Sequence, residues 1–172
     1  MCSQLPAAVE MILGMSPDVQ IRPFQPGDGP AFRRLNEEWI SRHFRLEEHD
    51  RATLGDPWGK IIRPGGQIFL ALSGGEAIAC CALVVIEQGV FELSKMAVTE
   101  RCQGRGIGRR LLEHTVAQAK AMGARRLCLD TNSKLANAIH LYESVGFRHL
   151  PPERRTSSAY ARSNVQMEME LI

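Results

Sequence analysis

Val98-Thr99-Glu100-Arg101-Cys102-Gln103-Gly104-Arg105-Gly106-Ile107-Gly108 is the stretch on which the reading of this chain turns. An apolar, strand-like run ends at Val98. Glycines interleaved with arginines follow, and then a strongly helical segment begins. Glycine lets the backbone approach a ligand closely and reach φ values that other residues avoid. The first amides of a helix have no internal acceptor, and the helix dipole favours an anion beside them. Strand, glycine–arginine loop and helix, in that order, predict a cradle for a phosphorylated ligand.

The two common nucleotide loops fit poorly. A Walker loop needs GxxxxGK[ST], and no such string occurs. A dinucleotide loop needs GxGxxG close to the first strand, but Arg109 stands where the last glycine belongs and the loop lies mid-chain.

Working outward, Ile21–Phe24 reads as a short strand limited by Pro23, and Pro26-Gly27-Asp28-Gly29 as a turn. Asp28 or Gly29 can cap a helix from Pro30 to about His43, with Phe32, Leu35, Trp39 and Ile40 on one face. A weaker helix runs from about Glu47 to Leu54. Strands follow over 67–72, 77–87 and 90–98, joined by Ser73-Gly74-Gly75-Glu76 and Gln88-Gly89. The helix after the loop runs from about Gly106 to Met122, with Ile107, Leu111, Leu112, Val116, Ala119 and Met122 as its apolar stripe and Gly123 as its stop. Arg126–Thr131 is a strand, Leu135–Val145 a helix, and 147–150 and 164–172 two final strands. The order β-α-α-β-β-β-α-β-α-β-β predicts an α/β fold, a mixed sheet with helices on its faces.

The 172 residues suit one domain with a substantial core, expected over 19–172, with residues 1–18 as a loose extension. The net charge of +2 demands neither nucleic acid nor an acidic membrane. No apolar run approaches the roughly 20 residues of a membrane helix. The N-terminus, without Lys or Arg and interrupted by Glu10, is a poor signal peptide. Five cysteines contain no CxxC and no His at ligand spacing, so no metal is expected. Cys80, Cys81 and Cys128 lie in apolar runs and read as buried thiols, Cys102 as a loop bystander. A reduced, cytoplasmic protein fits these features.

Three motifs then carry a resemblance. Gln103-Gly104-Arg105-Gly106-Ile107-Gly108 has the form Gln-x-x-Gly-x-Gly at a helix start. Leu93-Ser94-Lys95-Met96-Ala97-Val98 precedes it, and Ala138-Ile139-x-Leu141-Tyr142-Glu143-x-x-Gly146-Phe147 follows. In this order and spacing they resemble the GNAT superfamily of acetyl-CoA-dependent N-acetyltransferases, most strongly over about 67–150. The resemblance implies a mainly antiparallel mixed sheet and acetyl transfer from acetyl-CoA to an amine by direct attack. It implies cofactor contacts from Met96, Ala97 and Val98 and from Gln103, Gly104, Arg105, Gly106, Ile107, Gly108 and Arg109, either arginine being alternatively a solvated one. Tyr142 matches the family's usual acid and cofactor contact, its alternative being a packed tyrosine that only touches the cofactor. Many relatives carry Asn seven residues before that Tyr, where this chain has Leu135. Asn132 stands in as a candidate cofactor contact, or is a turn residue or helix cap.

An alkyl amine has a pKa of about 10, so a base helps at neutral pH. By strand alternation Glu92, Ser94, Met96 and Val98 share a face. A strand Glu in this register is the base, often through water, in some similar enzymes; the alternative is a surface Glu. In similar folds the acceptor site lies between the first two helices and the loop joining the last two strands. Glu47-Glu48-His49-Asp50 could attract a cation there, or form a solvated helix face. Tyr160 and Arg162 are the candidate acceptor contacts, Arg162 clamping a carboxylate bidentately or lying in water. The expected acceptor is a small amine or amino-acid-like compound. A protein lysine or N-terminus, and a non-catalytic acyl-CoA-binding module, are the rival readings. A dimer is common among similar proteins.

Overall fold

The structure is a computed structural model that describes residues 18–171. The expected extension therefore lies, for residues 1–17, outside the described residues, as does Ile172 at the end of the last expected strand. The elements are β1 (Val19–Pro23), α1 (Gly29–His43), α2 (Glu48–Gly55), β2 (Gln67–Ser73), β3 (Glu76–Glu87), β4 (Val90–Val98), α3 (Ile107–Ala121), β5 (Arg126–Thr131), α4 (Ala136–Val145), β6 (Arg148–His149) and β7 (Val165–Glu170). The order is the one the sequence predicts. A π-helical turn over Trp58–Ile62 was not anticipated. No described helix is long and apolar enough to cross a membrane.

Seven strands form one sheet in the order β1-β2-β3-β4-β5-β7-β6. Every neighbouring pair is antiparallel except β4 with β5, which α3 joins as a crossover. Phe69, Cys81, Leu83, Phe91, Leu93, Leu127 and Leu129 face α3, whose Ile107, Leu111, Leu112, Val116 and Ala119 are buried against them. Met122 departs from the expected stripe and is 38% exposed, because the helix ends one residue earlier. On the other face Ile68, Leu70, Cys80 and Ala82 pack against Phe32 and Leu35 of α1 and Leu54 of α2. Pro30 in the first turn of α1 fits there because its missing N–H would have no helical acceptor. Asp28 occupies the capping position, but its carboxylate turns back to Gln25 N at 2.7 Å and to Arg22 at 2.7 and 3.0 Å.

Two irregularities in β4 position everything that follows. The β3–β4 register slips between Cys80, opposite Ala97, and Ala82, opposite Ser94, so Cys81 faces two residues of β4. Lys95 sits in this bulge with φ +52°, the one described non-glycine residue with positive φ. The bulge reverses the alternation. Phe91 and Leu93 point to the α3 face before it, and Met96 and Val98 do so after it, while Ala97 joins the α1 face. Glu92 and Ser94 therefore do not share a face with Met96 and Val98; strict period-two counting fails because one inserted residue shifts it.

The second irregularity is a splay. β4 and β5 pair only at Val90↔Arg126, Phe91↔Leu127 and Glu92↔Cys128. Beyond that point β5 stays with β7 and β4 stays with β3. A cleft opens between the carboxyl ends of two parallel strands, the place where open α/β sheets bind ligands.

Candidate active site

Two cavities meet in this cleft. One, of about 360 Å³, lies between the end of β4 and α4 and is lined by Met96, Val98, Gly108, Leu135, Ala138 and Tyr142. The other, of about 90 Å³, lies under α1 and takes in Trp39, Phe44, Glu92, Asp130, Tyr160 and Arg162. Tyr142 lines both, as do Trp39, Met96, Leu135 and Ala138.

The glycine–arginine loop borders the larger cavity at Gln103 and Gly108. Gly104 and Gly106 take φ +73° and +75°, and a Cβ at either would meet nothing within 4 Å. Backbone conformation, not crowding by the protein, demands glycine there, and the open space leaves the loop surface accessible. Gly106 caps α3, and the first helical bond runs from Arg110 N to Gly106 O at 3.1 Å. The amides of Ile107, Gly108 and Arg109 are thus the helix's unpartnered first donors, the fit an anion requires. Gly108 is a contact point, with Met96, Val98 and Leu141 side chains 3.6–3.8 Å from where its Cβ would be.

The loop side chains divide. Gln103 donates from Nε2 to Val98 O at 3.0 Å and so ties the loop to the end of β4. Arg109 reaches Ser144 Oγ on α4 at 2.7 Å. Arg105, between the two left-handed glycines, is exposed. Asn132 does not line the larger cavity. It lines the smaller one, where its Nδ2 donates to Arg162 O at 2.5 Å and its Oδ1 accepts from Lys134 N at 2.8 Å, the bonding of a turn residue.

Tyr142 projects from α4 into the junction, its ring 5.9 Å from Phe147 and edge-on to it. Burial, with Cys81 nearby, holds its hydroxyl protonated well above the ordinary range. Glu92 is half-buried on the wall of the smaller cavity. Burial, reinforced by the neighbouring Asp130 carboxylate, raises its pKa. A base with a raised pKa holds a proton more strongly once it has taken one.

Arg162 corrects an expectation. Its guanidinium does clamp a carboxylate bidentately, but that carboxylate is Asp50 of this chain, at 2.6 and 2.8 Å. It also donates to Glu47 at 3.0 Å. Asp50 is completely buried and receives Lys95 Nζ at 2.7 Å. Lys95 Nζ donates in turn to Tyr160 Oη at 2.7 Å, and both cations lie close to the Tyr160 ring, Lys95 4.6 Å and Arg162 4.4 Å from its centroid. Burial opposes ionisation of Asp50, yet hydrogen bonds from Arg162 and Lys95 outweigh it and hold its pKa below the usual carboxylate range. The acidic 47–50 segment is therefore partly an internal anchor rather than a wholly solvated face; Glu48 and His49 alone of the four are exposed.

Lys95 and Asp130 also line the smaller cavity, beyond the residues the sequence motifs point to. The available signal was a charged residue inside an apolar strand pattern: Lys95 between Leu93 and Ala97, Asp130 after Leu127 and Leu129. Cys80 and Cys81 are buried as expected, and burial pushes the Cys81 thiol up to about 12. Cys128 is only half-buried because it faces the side of Glu92 and Asp130. Cys102 is buried, not a loop bystander.

The bulged strand, splayed cleft and glycine-capped helix form a cleft whose chemistry suits an extended, anionic ligand, and comparison with known proteins identifies the family. The profile of the acetyltransferase (GNAT) family matches residues 31–147. The chain belongs to this family and is an N-acetyltransferase. The uncharacterized N-acetyltransferase YjgM of Escherichia coli is 29% identical over 72% of this chain and 78% of its own. The ribosomal protein bS18-alanine N-acetyltransferase of Salmonella typhimurium is 34% identical over 53% of this chain and 64% of its own. Mycothiol acetyltransferase of Acidothermus cellulolyticus is 31% identical over 77% of this chain and 45% of its own. The chain thus spans less than two thirds of the length of these last two. Among solved structures, a GNAT-family acetyltransferase of Staphylococcus aureus superposes with TM-score 0.81 at 19% identity, covering 90% of this chain and 100% of that one. The Salmonella typhimurium acetyltransferase yncA, solved with its cofactor acetyl-CoA, gives TM-score 0.71 at 18% identity, covering 90% and 94%. The fold is the mixed, mainly antiparallel GNAT sheet, and the family uses acetyl-CoA.

Proposed function

We propose that this chain acetylates the primary amine of a small molecule, with Glu92 as base and Tyr142 as acid. The observation that carries the reading is the meeting of the two cavities at Tyr142, with Glu92 on the wall of the smaller one. When bound, acetyl-CoA would supply the acetyl thioester. The free amides of Ile107 to Arg109, with Gly104, Gly106 and Arg105, suit its pyrophosphate. The β4 edge at Met96–Val98, left unpaired by the splay, suits its extended amide-bearing arm. Glu92 accepts the proton the amine loses, directly or through one water. Tyr142 donates the proton a leaving thiolate needs, and burial keeps that proton in place until then.

A small acceptor is favoured over a peptide. The smaller cavity is lined by α1 and by the segment before β7, which Arg162 ties to α2. A peptide needs an open groove or a strand edge.

Release of free thiol from acetyl-CoA in the presence of primary amines tests the reading. Tyr142→Phe is expected to lower kcat about 10²-fold, with acetyl-CoA affinity by calorimetry retained. Full turnover in that variant would remove Tyr142 from the acid role. Gly106→Ala forces a side chain into the left-handed region at a cost of about 1–2 kcal/mol. It is expected to weaken acetyl-CoA binding several-fold with little effect on kcat at saturation. Unchanged affinity would show that the loop is not the cofactor cradle.

A further inference from the structure

The charges around the smaller cavity do not cancel, and their residue has a sign. Lys95 and Arg162 are the cations that line it. Both are consumed internally: Lys95 by Asp50 and Arg162 by Asp50 and Glu47. Two cations thus meet two carboxylates, and this group is neutral as a whole. Lys95 is 4% exposed and Arg162 16%, so neither can turn outward to a ligand without abandoning a completely buried Asp50. Glu168, next along β7, is matched by Arg154 and Arg126.

Glu92 and Asp130 remain. They lie on the same cavity wall, on either side of the line where β4 parts from β5. Among the described residues neither has a Lys or Arg within ion-pair distance. Asp130 accepts one hydrogen bond from Gln166 Nε2 at 3.1 Å, on Oδ1. Trp39 and Phe44, with ring centroids 6.3 Å apart, form the apolar side of the same space. Two carboxylates and an aromatic wall suit a cation and repel a carboxylate.

We infer that the acceptor is a carboxylate-free amine carrying a second positive charge, which Asp130 receives while Glu92 serves the reacting amine. This rests on the transferase reading above and narrows it: the amino-acid-like acceptor that an available Arg162 would suit is disfavoured. Asp130 is then a specificity-determining residue for the reaction. It need not touch the transferred group.

Three acceptors differing by one group each test this: 1,5-diaminopentane, pentylamine and lysine, assayed by thiol release from acetyl-CoA with the full chain. The expected order of kcat/KM is diamine first, pentylamine on the order of tenfold lower for want of one charge-assisted hydrogen bond, and lysine lower still. Asp130→Asn is expected to raise KM for the diamine on the order of tenfold while changing that for pentylamine far less, so that the preference collapses. A merely structural Asp130 would depress both alike. Lysine or pentylamine equalling the diamine, or a preference surviving Asp130→Asn, overturns the inference and leaves the transferase reading standing. No thiol release with any of the three overturns the inference. If a broad screen of amines also gives no release, with folded protein and bound acetyl-CoA, the transferase reading falls as well.

Discussion

Asp50→Ala is expected to destabilise the protein by about 3–5 kcal/mol, the range for removing one partner of a buried ion pair. Asp50 is completely buried and accepts four hydrogen bonds: one from Lys95, two from Arg162 and one from the Glu47 amide at 2.9 Å that begins α2. Alanine would leave Lys95 without a carboxylate partner and Arg162 with Glu47 alone. For a chain of this size the loss corresponds to a fall in Tm of roughly 10 °C or more, read by thermal denaturation. Adding Lys95→Met should recover part of it, because the stranded ammonium is then gone. A single variant within about 1 kcal/mol of the parent would show the network to be solvated. The pH sign is fixed as well. The folded pKa of Asp50 lies below its unfolded value, so its contribution is complete at neutral pH. It drains away only as pH falls below roughly 4, the unfolded carboxylate value, toward the folded one.

That prediction concerns residues the sequence showed imperfectly, and the reason is physical. The glycine loop was legible because its determinants are local: positive φ at Gly104 and Gly106, and free amides at a helix start. Element order was legible because periodicity and turn residues are local too. The bulge at Lys95 was not, because it depends on how β3 meets β4, and it moved Glu92 to the face opposite Met96. Nor could the partner of Arg162 be read. A guanidinium 112 residues from Asp50 in sequence offers no local sign that the two are bonded. Long-range pairing decided whether a charge was a ligand group or an anchor, and that decision changed the expected acceptor.

Glu92→Gln is expected to lower kcat by about 10²–10⁴-fold, the usual range for a lost general base, while the folded protein becomes more stable at neutral pH. The two effects share one cause. Burial, with Asp130 adding to it, raises the Glu92 pKa in the folded state above its unfolded value. The native state then binds the proton more tightly than the unfolded one, so ionised Glu92 costs stability, increasingly as pH rises from the unfolded pKa through the folded one. Glutamine keeps the shape and removes the charge. Activity runs the other way: the base works only when ionised, so kcat/KM in the parent climbs as pH rises through the raised pKa. In Glu92→Gln the limb set by that carboxyl should vanish, leaving a low rate that climbs only with the free-amine fraction toward the amine pKa of about 10. Higher Tm with lost turnover separates the base from a misfolded variant, since misfolding lowers both. Turnover near the parent's, or a limb that keeps the parent's position, would mean the amine reaches the thioester already deprotonated and Glu92 only sets the charge of the cavity. Stability given up to hold an ionisable carboxyl there would be the usual exchange of stability for function at an active site.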